Sequence, residues 1–294
     1  LPILVKRIFL FFAVNILIVL TASIFLHVIA RYFGIDVTGN SGILIFYSII
    51  GMGGAFFSLF ASKFIAKMMY KVQIIDPSVN DPNLRQLVHK VHTLAQSAGL
   101  RKMPEVGIYE SNEINAFATG PSKNNSLVAV SSGLLYNMND DEVEGVLGHE
   151  IAHVANGDMV TMTIVQGIIN TMVLIAAQFI ARTVADRMRS MAAYFVTFYA
   201  VQILLSILGS TVVYAFSRYR EFRADEGSAK LAGRQKMIAA LKALQKNYGS
   251  FDNEGDQEAI KTLKINGRSR GAIAKLFSSH PSLEDRIARL ERMQ

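Results

Sequence analysis

Four long stretches of this chain contain no Asp, Glu, Lys or Arg: Ile8 to Ala30, Val37 to Ser62, Met159 to Ala181 and Met191 to Ser217. No other feature limits the fold so strongly. A helix needs about 20 predominantly apolar residues to cross a bilayer core about 30 Å thick, and all four stretches are long enough. Hydrophobic residues make up 51% of the chain and charged residues 18%. The first figure excludes a disordered chain, and the second falls below the roughly 25% of soluble domains. Gln166, Asn170, Gln178 and Gln202 lie in the third and fourth stretches, where polar side chains serve to pack helix against helix. Lys6 and Arg7 precede the first run, which outlasts the apolar region of a cleaved signal peptide, so an uncleaved anchor is expected.

The polar residues fall into two blocks. We expect residues 1–62 to form an N-terminal pair of transmembrane helices and residues 159–217 a second apolar pair. Residues 63–158 and 218–294 then form two polar parts. The fold class expected is a mainly α membrane protein with four apolar helices and an α+β polar domain carrying a small edge sheet. Asp81-Pro82 offers an N-cap and a first-turn proline. Leu84, Leu87, Val88, Val91, Leu94 and Ala95 follow at helical spacing and end near Gly99. His89 and His92 on that helix read as partly exposed surface residues. Val106–Tyr109 and Ser126–Val130 read as strands, with a turn-rich segment, Gly120–Asn125, between them. Gly249–Gly255 and Asn266–Gly271 read as polar loops that gate a cleft.

There are no cysteines, so any metal must be held by His, Asp or Glu. The six histidines are His27, His89, His92, His149, His153 and His280. Two of them lie in His149-Glu150-Ile151-Ala152-His153, an H-E-x-x-H motif. Asn139 with Glu142 three residues on is a capping-box pattern, and Asn156-Gly157 is a stop signal, so the motif lies on a helix. Positions i and i+4 share a helix face, which lets both imidazoles reach one ion. Glu150 stands beside them, placed to take a proton from water at a metal whose charge lowers that water's pKa to about 7. A catalytic zinc site needs a third protein ligand. His280 is one candidate, and Glu221 in Ser217–Asp225 is another. Asp225 lies one turn beyond Glu221, where it could accept the N–H of a ligating imidazole. Two crossings between the histidines and Glu221 would return the chain to the same membrane face, as a re-entrant or buried hairpin also would.

The HEIAH motif, the later SRYREFRADE segment and the N-terminal pair of spans resemble the HtpX membrane zinc metalloproteases. These are gluzincins related to the CAAX prenyl proteases, and the resemblance covers essentially the whole chain. It implies a zinc endopeptidase (a hydrolase) with one Zn2+ per chain, held by His149, His153 and Glu221. By it Glu150 is the general base and Asp225 supports a ligand. Asn115-Ala-Phe-Ala-Thr-Gly120 resembles the family's active-site segment, with Asn115 able to bond substrate backbone at an edge strand. His280-Pro-Ser282 resembles its C-terminal motif. His280 is then a catalytic candidate for stabilising the oxyanion, or simply the residue that precedes Pro281 and a capping Ser282. The resemblance further implies a multi-pass protein of the bacterial inner membrane. Its role there is stress-linked quality control, and it cuts misfolded or damaged membrane proteins on the cytoplasmic side.

Charge distribution sets the orientation. With an inside N-terminus, Lys6, Arg7, Lys63, Lys67, Lys71, Arg218, Arg220 and Arg223 lie inside, against Arg31, Arg182, Arg187 and Arg189 outside. The Arg182–Arg189 loop runs against the bias, as it would if the last two apolar helices did not both fully cross. Arg218, Arg220 and Arg223 read as interfacial anchors or partners of acidic groups. The partners expected are polypeptide substrates and the lipid bilayer. The net charge of +7 does not point to nucleic acid, because the cations flank apolar segments and no nucleic-acid-binding motif is present. A transporter would carry ionisable groups within its spans, and only His27 does so. An intramembrane-cleaving protease would bury its motif in an apolar run, whereas this one follows Asn139-Asp-Asp-Glu142 and precedes Asn156-Gly-Asp158. A catalytically silent zinc-binding scaffold is the other alternative, and an intact Glu150 argues against it.

Overall fold

The computed structural model describes Tyr32, residues 40–250, Ser278 and residues 280–293. The first apolar stretch, Ile8 to Ala30, lies outside the described residues, as does most of the expected loop region. The described elements run in the order α1 (Asn40–Met69), β1 (Gln73–Ile74), α2 (Pro82–Ser97), β2 (Glu105–Tyr109), β3 (Ala116–Ser122), β4 (Asn125–Ser131) and α3 (Ser132–Asn137). Then come α4 (Asp140–Asn156), α5 (Asp158–Met188), α6 (Met191–Ser228), a π-helical turn (Ala229–Gly233), α7 (Arg234–Ser250) and α8 (Leu283–Glu291). Gly249 and Ser250 are thus helical, where a loop was expected to begin.

Among the described residues, three helical segments are long and apolar enough to cross a membrane: Gly42–Met69, Asp158–Met188 and Met191–Asn247. The last does not stop where its apolar run stops. No glycine or proline occupies residues 218–226, so helix α6 continues through the charged segment to Ser228. Its 38 residues extend about 57 Å at 1.5 Å per residue, which outruns a bilayer core of about 30 Å. Glu221 and Asp225 ride on this continuous helix.

The chain divides into two compact units, Leu1–Phe57 with Ile164–Gly209, and Ser58–Thr163 with Ser210–Gln294. In the first, Phe46, Tyr47, Leu174, Ala177, Ala181 and Phe198 bury one another. Gly51 admits α5 closely, since a Cβ there would lie 2.6 Å from the backbone nitrogen of Thr171. Tyr47 donates a hydrogen bond of 2.9 Å to Oε1 of Gln178, and Tyr194 donates to the same oxygen. Gln178 therefore does the packing work expected of a polar residue in an apolar helix. Leu44, Ile45, Phe179, Phe195, Leu204 and Leu208 face outward, the arrangement that a hydrocarbon solvent favours.

The second unit holds a four-stranded mixed sheet in the order β1-β2-β4-β3. Strands β2 and β4 are parallel, and the other pairs are antiparallel. One sheet face buries Val106, Val128 and Val130 against Val91 and Leu94 of α2 and against Leu147, Ile151 and Val154 of α4. Full burial of each such side chain stabilises by about 1.5–3 kcal/mol. Helix α2 starts as expected, with Asp81 Oδ1 accepting from the N–H groups of Asn83 and Leu84. The expected turn over Gly120–Asn125 is shorter than its composition suggested. Strand β3 runs on to Ser122 and pairs it with Asn125 across a register shift after Thr119. Pro121 is tolerated because β3 is an edge strand, where a missing donor leaves no partner unsatisfied.

Candidate active site

Helix α4 is set by its ends and by two glycines. Asn139 Oδ1 accepts from Asp141 N and Glu142 N, while Glu142 accepts from Asn139 N at 2.9 Å, completing the capping box. Gly157, at φ 72°, ends the helix in the left-handed region. A Cβ on Gly145 would lie 2.5 Å from the Lys236 carbonyl oxygen, and one on Gly148 would lie 2.7 Å from Ser228 Oγ. The two glycines therefore let α4 approach α7 and the end of α6. Ser228 adds a 2.7 Å hydrogen bond to the Gly145 carbonyl. This packing brings Glu221 and Asp225, both on α6, beside the histidine pair.

Three buried side chains converge. Nε2 of His149 and Nε2 of His153 lie 3.1 Å apart. Glu221 Oε2 is 3.5 Å from the first nitrogen, and Oε1 is 3.4 Å from the second. Donor atoms bound to one tetrahedral zinc ion at about 2.0–2.2 Å stand about 3.3–3.6 Å from one another. The two nitrogen–oxygen separations fall in that range and the nitrogen–nitrogen one is slightly shorter, so the three groups form a compact set for a cation, each offering an atom within 4.8 Å of the others. Glu221 is only 1% exposed, an unusual place for a carboxylate unless it is paired or ligating.

Each imidazole has its own acid. Asp225 Oδ1 lies 2.9 Å from His149 Nδ1, and Asp158 Oδ2 lies 2.6 Å from His153 Nδ1. Both contacts place a proton on Nδ1, so Nε2 is the atom that a bound cation would meet. Asp225 is gripped in turn by Arg286, whose Nε and Nη2 donate at 2.8 and 2.6 Å. Arg220 Nη2 lies 3.2 Å from Glu221 Oε1. Burial alone would lower the His149 pKa, but the hydrogen bonds to Asp225 and Glu221 outweigh it and lift the value to about 9. Burial also opposes the charge on Arg286, and the bonds to Asp225 overcome it, so the guanidinium is held more firmly protonated than usual.

Residues 81–294 match Peptidase family M48. The chain belongs to that family. Among its relatives are a Protease HtpX homolog of Bacillus licheniformis, 52% identical over 298 residues, and a Protease HtpX of Shewanella piezotolerans, 48% identical over 294. Each alignment covers 97% of this chain and 99% of the relative. The crystal structure of S. mikatae Ste24p shares the fold at a TM-score of 0.62 and 19% identity, over 90% of this chain and 61% of that one. The chain is accordingly a membrane metallopeptidase, and the M48 family implies a metal.

His149, His153, Glu221 and Asp225 come together, and Glu150 follows His149 on α4 in a partly buried position. Its charge adds to the field that keeps Arg286 protonated. His280 is 61% exposed at its side chain, yet its Nδ1 is 3.0 Å from Glu221 Oε2. It also precedes the cap expected of Ser282, whose Oγ accepts from Asp285 N. Asn115 is exposed at the start of edge strand β3, with its N–H donating to Ser131 Oγ. His89 is exposed and His92 half-buried, with His92 Nε2 3.2 Å from the Pro104 carbonyl. Neither joins the cluster. Sequence reasoning missed Asp158 and Arg286. Asp158 was read only as the polar end of the motif helix, though an acid five residues after a ligating His is a usable signal. Arg286 gave none, because its helix is joined to the site only by the fold.

Proposed function

We propose that this M48 peptidase is a zinc endopeptidase that hydrolyses misfolded or damaged membrane proteins at the cytoplasmic face of a bacterial inner membrane. The observation that carries this reading is the convergence of His149, His153 and Glu221, each with a hydrogen-bonded neighbour. These three residues would hold one zinc ion. When bound, zinc supplies Lewis acidity toward water and the scissile carbonyl. Glu150 accepts the proton of the attacking water and passes it to the leaving amine. Asp225 keeps the His149 imidazole in the ligating tautomer. His280, at the exposed mouth of the site, stabilises the developing oxyanion. The outer edge of β3, which follows Asn115 and pairs with no further strand among the described residues, takes an extended substrate as an added strand, which gives main-chain recognition without demanding one side-chain sequence. Such recognition suits a protease that must accept many unfolded segments.

The test uses the full chain in detergent with casein and with an unfolded membrane protein. Cleavage of both that stops with a chelator and returns with zinc supports the assignment. A protein that binds zinc and cuts neither favours a scaffold.

A further inference from the structure

We propose that Asp158 is a positioning residue of the metal site, fixing His153 from the first residue of the membrane helix α5. The inference rests on the zinc reading above and deepens it. Asp158 is 3% exposed, and its Oδ2 meets His153 Nδ1 at 2.6 Å. Among the described residues no Lys or Arg lies within ion-pair distance of it, in contrast to Asp225, which Arg286 clamps. A buried carboxylate without a cation is costly. The start of a helix offsets that cost only in part, through its dipole. The remaining compensation is the imidazole and the cation that the imidazole faces.

The local chain makes this contact possible. Gly157 takes φ 72° between α4 and α5, so the chain turns back and the acid reaches a side chain only five positions earlier. The carboxylate accepts from Nδ1 and orients the ring, which sets the direction of Nε2, the atom 3.4 Å from Glu221 Oε1. The two imidazoles are thus supported differently. The support of His149 comes from α6 and is locked by α8. That of His153 comes from the chain's entrance into α5, so the ligand geometry and the start of that helix are set by one residue.

The experiment is a zinc titration against a chromophoric chelator, with wild type, Asp158→Ala and Asp158→Asn as full chains in detergent. The melting temperature of each zinc-free protein is read alongside. Asp158→Ala should weaken zinc binding about 10–100-fold. Asp158→Asn, which keeps one acceptor oxygen, should fall between it and wild type. Where Asp158→Ala does not fold, the shift in Asp158→Asn carries the test. Zinc affinity equal to wild type in the folded variants overturns the inference, even if the zinc-free melting temperature drops, because Asp158 then serves only the helix start. A wild type that binds no zinc overturns the zinc reading itself and is recognised before any variant is compared.

Discussion

His149 and Asp225 are joined by a 2.9 Å contact between Nδ1 and Oδ1, and the carboxylate that makes it is held on its other side by two bonds from Arg286. Three elements, α4, α6 and α8, meet in this chain of contacts. Replacing Arg286 with Met leaves Asp225 buried without its cation. Removing one partner of a buried pair costs about 3–5 kcal/mol. The melting temperature in detergent should fall accordingly, and Arg286→Lys should recover part of it. A variant Arg286→Met as stable as wild type would show that the clamp contributes nothing.

The approach of α4 to α7 depends on Gly145. A methyl group there would sit 2.5 Å from a backbone oxygen, Lys236 O, which cannot rotate away. Gly145→Ala should destabilise by about 1–3 kcal/mol, as overpacked sites do, and lower peptidase activity by displacing the helix that carries His149. At Gly148 the nearest atom is a rotatable hydroxyl, Ser228 Oγ. Gly148→Ala should therefore cost less, and thermal melts of the two variants compare them directly.

Much of this was legible in the sequence, and the reasons are local. The capping box at Asn139 and Glu142, the stop at Gly157 and the four-residue spacing of His149 and His153 are all written within one helix. Asp81-Pro82 likewise announces α2. What was not legible depends on pieces far apart in the chain. Arg286 reaches Asp225 across 61 positions. Strand β3 was hidden because Ala, Gly and Pro in Ala116–Ser122 have low strand propensity, and it forms by pairing with the strongly buried β4. The length of α6 was missed for the opposite reason, since a change from apolar to charged composition looks like a boundary although it leaves the backbone free to continue.

Because the chain contains no cysteine, its topology can be read with single introduced thiols. Tyr136 is 87% exposed. A Tyr136→Cys variant should resist a membrane-impermeant maleimide in intact cells and react after permeabilisation. Labelling in intact cells would put the peptidase unit on the outer face.

Glu105 ties β2 to the end of α1 through Lys63 at 2.8 Å and Lys67 at 2.6 Å. Partial burial pushes its carboxyl upward, but the two ammonium groups prevail and hold it below the ordinary 4.5. A depressed carboxyl contributes stability above its unfolded value, and that contribution fades as pH falls through the folded value. Glu105 is 41% exposed at its side chain, so the gain is at most about 1 kcal/mol. Stability curves of wild type and Glu105→Gln should differ slightly near neutrality and converge in acid. A gap that widens below pH 4.5 would reverse the sign argued here.

We propose that His149, His153 and Glu221 hold zinc while Glu150 moves the proton. The most direct test measures zinc content and casein cleavage on the same preparations of wild type, Glu150→Gln and Glu221→Gln. Wild type should carry about one zinc ion and cut. Glu150→Gln should keep the metal and cut slower by about 10²–10⁴-fold, and Glu221→Gln should lose or weaken the metal. Wild-type cleavage by Glu150→Gln, or wild-type zinc and cleavage in Glu221→Gln, would contradict the account.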